Sequence, residues 1–212
     1  MLFDAFDEIR IINLSHRADR RREMTAEFKR LGLAIDGRKI AFFDAIKTSD
    51  LGGFYSSGAH GCYQSHLLLL ERAKGSILIL EDDCQFTQFA STATVPECEI
   101  FYGGYNALDP ADLQRSDIMG AHMMGYFKPN AAASYLRRVL EDAEFRGNVP
   151  PPPFDGAIVW YRRAFPKVRA AFSSEQLANQ RPSRTDIGTP RWIDRFPALA
   201  AGARKLRTML KA

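Results

Sequence analysis

The sequence lacks several features that would settle its class at once. It has only three cysteines, Cys62, Cys84 and Cys98. An odd count without paired spacing argues against a disulfide framework and fits a reducing compartment. No apolar run approaches the roughly 20 residues that span a bilayer. The opening MLFDAFDEIR has early acids where a signal peptide has a basic segment followed by an apolar one. The expectation is a cytoplasmic protein, with at most a peripheral contact to the inner face of the membrane. A strong charge of one sign is missing too: 29 Lys+Arg face 25 Asp+Glu, a net charge of +4. That excess permits an anionic partner without demanding one. No RNA- or DNA-binding motif accompanies it, so no nucleic-acid partner is expected. There is no P-loop and no second acidic cluster for a two-metal site, which argues against a phosphoryl-transfer enzyme or nuclease. No internal repeat and no domain linker stand out.

What is present is an ordinary globular composition, 46% hydrophobic and 25% charged over 212 residues, enough to bury a core without staples. IRIINL (9–14) predicts a buried strand, being short and β-branched. A helix follows from Ser15 or His16, with Met24, Phe28 and Leu31 at helical spacing and Gly32 as its stop. KIAFFDAI (39–46) predicts a second strand. Residues 58–74 predict a helix with Ala59, Cys62, His66, Leu69 and Ala73 on one face, ended by Gly75, and SILIL (76–80) a third strand. Further strands are expected at 99–104 and 117–127, and a helix from Pro129 to about Ala143. PPPP (150–153) is a stiff extended lead into a segment where Asp155 can cap a helix at 156. Residues 173–197 predict an irregular arm. Alternating strands and helices imply an α/β domain with a partly parallel sheet over 1–197. A basic amphipathic helix at 198–212 is expected either to pack on that domain or to lie on an anionic membrane.

Ligands in such sheets bind beyond the carboxyl ends of the strands. Both 13–17 and the acidic run Glu81, Asp82, Asp83 fall there. Three adjacent carboxylates repel one another. They form either a solvated turn or a site for a hard cation such as Mg²⁺ or Mn²⁺, which prefers oxygen ligands and offsets the repulsion. Strand alternation places Glu81 and Asp83 on one side as ligands and Asp82 opposite. An acidic pair alone does not say which phosphate compound the cation would serve. Cys62 and His66 are spaced i, i+4, as zinc ligands can be, but no second Cys/His pair completes four ligands. A hydrogen-bonded core histidine is the expectation there. Arginines at a helix start, Arg17 and Arg20, suit an anionic nucleotide but could equally be surface charges.

INLSHRADRR, AFFDAI, GAHGCYQSH and LILEDD, in this order and spacing, resemble glycosyltransferase family 25. These are lipopolysaccharide-type glycosyltransferases related to collagen galactosyltransferases. The matching residues are Ile12, Asn13, Leu14, Arg17, Asp19 and Arg20, then Gly61, Cys62, Ser65 and His66, then the three acids. Weaker likeness continues through His122, Asp155 and Gln180 to Asp186 and Ile187. The resemblance implies a GT-A-like fold, a UDP-sugar donor and an inverting transfer of a hexose, galactose or glucose. The acceptor would be a hydroxyl of a cell-surface glycan or glycolipid, and a divalent cation, Mn²⁺ or Mg²⁺, would sit on Glu81 and Asp83. It puts Asn13, Leu14, Arg17, Arg20, Asp44, His66, Asp82 and Gln180 on the donor side, and Tyr102-Gly103-Gly104 near the donor sugar. A non-catalytic glycan- or nucleotide-sugar-binding protein is the rival. Inversion needs a base on the acceptor side, away from the metal. Asp155 is the expected one, with Asp186 and Asp44 competing.

Overall fold

The run Ile77–Leu80 is continuous rather than alternating because both of its faces are covered, as in parallel sheets flanked by helices. Ile77 and Ile79 join one buried cluster with Tyr63, Leu67, Leu136 and Ile158. Leu78 and Leu80 join another with Phe3, Phe6, Met24 and Phe28. All four are at most 1% exposed, each contributing about 1.5–3 kcal/mol of burial free energy.

The computed structural model describes residues 1–181. The predicted helix at 198–212, Asp186 and Ile187 lie outside the described residues. A 3-10 turn, Leu2–Ala5, precedes strand β1 (Glu8–Asn13) and helix α1 (Ala18–Arg30). The amide of Gly32 donates to Lys29 O and that of Leu33 to Phe28 O, a Schellman closure where the sequence predicts the helix stop. Next come β2 (Ile40–Asp44), α2 (Ser57–Arg72), β3 (Ile77–Glu81) and a three-residue β4 (Cys84–Phe86). Ser56 caps α2, its side chain accepting from the Ala59 amide. The helix ends at Arg72, before Gly75. Then follow β5 (Ile100–Ala107), β6 (Ile118–Tyr126), α3 (Pro129–Glu141), α4 (Phe154–Ala164), β7 (Ala170–Phe172) and β8 (Ala178–Gln180).

The main sheet has the order β2-β1-β3-β6-β5-β7, and β4 pairs with β8 in a small second sheet. β1 is parallel to β2 and β3, and β5 to β7. Only β6 runs against its neighbours. The expected α/β architecture, a mixed and mainly parallel sheet flanked by helices, is what forms. Its consequence is positional. Asn13 pairs with Asp44 and Ile12 with Glu81, so the ends of three parallel strands share one edge.

Two expectations are corrected. The arm from 173 is not wholly irregular, because Ala178–Gln180 pairs antiparallel with β4. Like β7, these pieces are three residues long, too short to show a period in sequence. Asp155 does not precede its helix. α4 begins at Phe154 with Pro153 in the cap position, so Asp155 sits in the first turn.

Candidate functional site

β1 ends on Asn13, which is 1% exposed and fully engaged. Its amide nitrogen donates to Asp82 Oδ2 at 2.6 Å and to Arg17 O at 3.3 Å, and its oxygen accepts from Arg21 Nε at 2.7 Å. Arg21 also bonds Asp44. One turn into α1, the buried Arg20 donates to Asp82 Oδ1 at 2.5 Å and lies 3.8 Å from Asp83. Asp82 thus ties the end of β3 to β1 and α1. Burial raises its carboxyl against the pull of Arg20 and Asn13. Asp82→Ala would leave a buried guanidinium without its main counter-ion. We expect a loss of about 3 kcal/mol in thermal or urea unfolding, largely recovered in the double variant with Arg20→Met.

The strand ends at Glu81, and the chain turns at 82–83 into β4. Alternation therefore stops short of Asp83, and all three acids border one cavity of about 280 Å³. Ile12 and Leu14 line it from β1 and its end, Ile46, Lys47 and Thr48 from beyond β2, His16 and Arg20 from around the α1 start, and Gln180 from β8. Gln180 Nε2 donates to Asp83 Oδ2 at 3.3 Å, while Asp83 Oδ1 is buried with no hydrogen-bond partner. Burial first, then the Glu81 charge, pushes the Asp83 carboxyl up to about 7. Glu81 goes the other way: burial would raise it, but the hydrogen bond and charge of His66 outweigh burial and lower it. The two carboxyls therefore differ in environment, Glu81 held by His66 and Asp83 buried with one oxygen unsatisfied. Two convergent carboxylates with an unsatisfied buried oxygen fit a hard divalent ion.

α2 is seated against the end of β2 by Ser65, whose hydroxyl accepts from the Ile46 amide at 2.8 Å and donates to Gly61 O at 2.7 Å. A Cβ at Gly61 would lie 2.4 Å from Ile46 O, so the close approach requires glycine. That seating brings Cys62 to the cavity wall and buries His66 completely, stacked on Phe154 with centroids 4.0 Å apart. His66 Nε2 is 3.4 Å and Cys62 Sγ 3.8 Å from Glu81 Oε1. His66 is thus the hydrogen-bonded core histidine that the sequence predicts, its partner being a carboxylate of the acidic motif.

Among the expected donor-side residues, Leu14, Arg20, Asp82 and Gln180 line the cavity together with Glu81 and Asp83. Asn13 and His66 support them from behind. Arg17 turns its guanidinium onto Asp19, at 2.9–3.3 Å, and Asp44 is engaged with Arg21; neither lines the cavity. Tyr102-Gly103-Gly104 lies inside β5. The neighbours of Gly104 are the ring of His122 and Ala178 O, 2.4 and 2.8 Å from where a Cβ would be. His122 is 2% exposed and donates from Nε2 to Ala178 O at 3.0 Å; burial lowers its pKa. It pins β8 to β6. Asp155 accepts from the Gly120 amide at 2.7 Å and from the Gly156 amide at 2.9 Å, outside the cavity lining. His16, Lys47 and Thr48 were not singled out from sequence, although strand ends were. The 46–48 segment follows β2 as 13–17 follows β1.

No curated protein matches the chain. Among solved structures, a galactosyltransferase, LgtC, in complex with donor and acceptor sugar analogs is 12% identical, with 92% of this chain and 95% of that one covered and a TM-score of 0.48. A glycosyltransferase involved in glycosylation of the major capsid of PBCV-1 is 13% identical, covering 78% and 81%, TM-score 0.44. The CTP:phosphocholine cytidylyltransferase LicC of Streptococcus pneumoniae is 9% identical, covering 82% and 92%, TM-score 0.45. Residues 6–100, which carry β1, α1, β2, α2 and the acidic turn, match the family model of glycosyltransferase family 25, described as an LPS biosynthesis protein.

Proposed function

We propose that this protein is a divalent-cation-dependent glycosyltransferase. It would transfer a hexose, galactose or glucose, from a UDP-sugar to a hydroxyl of a cell-surface glycan such as lipopolysaccharide or lipo-oligosaccharide, with inversion. The observation that supports this most is the Glu81/Asp83 pair, with its unsatisfied buried oxygen, on the wall of a cavity that also bears Arg20 and Lys47. The family match over 6–100 supports the reaction class and the glycan. Glu81 and Asp83 would hold Mn²⁺ or Mg²⁺, which when bound neutralises charge on a leaving diphosphate. Arg20 and Lys47 add positive charge for the same group, and Ile12, Leu14 and Ile46 offer an apolar wall to the uracil. Asp155 would accept the proton of the acceptor hydroxyl as that oxygen attacks the anomeric carbon. Among the described residues no helix is long and apolar enough to cross a membrane. A cytoplasmic site of action at the inner membrane face is part of the proposal.

Thermal unfolding with UDP-, GDP- and CMP-sugars, each with and without Mn²⁺, tests the donor class. UDP-sugars with Mn²⁺ should stabilise the fold, by about 2.7 kcal/mol at a ligand concentration 100 times Kd. Stabilisation by another nucleotide, or equal effects with and without the ion, would overturn this reading.

A further inference from the structure

The triad Cys62, His66 and Glu81 is a different kind of site from the carboxylate pair. Its three donor atoms lie within 4.8 Å of one another. The separations around Glu81 Oε1, 3.4 Å to His66 Nε2 and 3.8 Å to Cys62 Sγ, are long for good hydrogen bonds. They are close to the edges of a tetrahedron around zinc. Zn–N, Zn–O and Zn–S bonds of about 2.0–2.3 Å imply N···O near 3.3 Å and S···O near 3.6 Å. The ligands are also held. Cys62 and His66 are one helical turn apart on α2, whose position is fixed by Ser65 and Gly61. The ring of His66 is clamped by Phe154 and fully buried, with Nε2 turned toward Glu81. Cys62 and Glu81 face the cavity, so a fourth position would be open on that side.

We propose that Cys62, His66 and Glu81 form a three-ligand site for a borderline-soft divalent ion of the zinc class, with its open position facing the cavity. Softness separates it from the Glu81/Asp83 pair: a thiolate and an imidazole favour zinc or cobalt, and all-oxygen donors favour magnesium or manganese. On binding, the Cys62 thiol gives its proton to solvent as the metal–sulfur bond forms, so uptake releases acid. Because Glu81 is shared with the cation site proposed above, the two ions would compete or bridge.

Co²⁺ titration of the full chain, in the absence of nucleotide, tests this without relying on turnover, so failure here and failure of the proposed function are distinguishable. One equivalent of Co²⁺ should produce a thiolate-to-cobalt charge-transfer band and intense visible bands of tetrahedral cobalt, displaced by Zn²⁺. Cys62→Ser should remove the charge-transfer band, while Cys84→Ser and Cys98→Ser keep it. In the unmutated protein, Zn²⁺ should slow alkylation of Cys62 by iodoacetamide at least tenfold, read by mass spectrometry; this holds even if a variant fails to fold. Absence of the band at one equivalent, its survival in a folded Cys62→Ser, or unprotected Cys62 would each overturn the site.

Discussion

Chelation with EDTA is expected to abolish sugar transfer, and Mn²⁺ or Mg²⁺ to restore it. Asp83→Asn should lower turnover by about 10²-fold or more, because one of two carboxylate ligands is lost. The same substitution should have the opposite effect on the metal-free fold. Asp83 is buried beside Glu81, and its carboxyl is pushed up to about 7 in the folded state, against about 3.9 in an unfolded chain. A raised folded value means that this group's contribution to stability is fully present below about pH 4. It is then lost as pH rises through about 7. In EDTA, Asp83→Asn should therefore be similar to the unmutated protein at pH 4 and more stable at pH 8. Saturating Mn²⁺ should narrow the gap by stabilising only the protein that retains both carboxylates. Full turnover in EDTA would remove the metal from the mechanism. A stability gap that ignores pH would remove the buried-charge argument.

Asp155→Asn is expected to lower kcat by about 10²- to 10⁴-fold, the usual contribution of a positioned general base, with little change in the affinity for UDP. The structure sharpens what must be measured beside kcat. Both oxygens of Asp155 accept backbone amides, one from Gly120 on β6 and one from Gly156 in its own helix. Asparagine offers one acceptor instead of two, so a cost of about 1 kcal/mol in stability should accompany the substitution. A carboxylate that only anchors the Gly120 amide of β6 predicts that stability loss with turnover near normal. The base predicts both. Near-normal kcat in a folded Asp155→Asn would pass the role to another acid.

Some of this was legible in the chain itself. The short aliphatic runs at 9–14 and 76–80 reported the strands β1 and β3. Helical spacing of Met24 and Phe28 ahead of Gly32 reported α1 and its stop, and the rule that ligands bind beyond the carboxyl ends of parallel strands pointed to 13–17 and 81–83, where the cavity forms. These are local properties: periodicity, capping and turn chemistry need few neighbours to be decided. The tertiary structure decided the rest. Arg17 and Arg20 look alike in sequence, yet only Arg20 lines the cavity: Arg17 is the N-cap residue, with non-helical backbone angles, and its guanidinium bonds Asp19, whereas Arg20 lies in the first turn of α1 and bonds Asp82. Gln180 reaches Asp83 across 97 positions through two three-residue strands with no sequence period of their own. Glu81 becomes the third donor beside Cys62 and His66 because Ser65 and Gly61 fix how α2 lies against β2 and β3. Which side chains converge depends on how distant elements pack, and no local pattern encodes that.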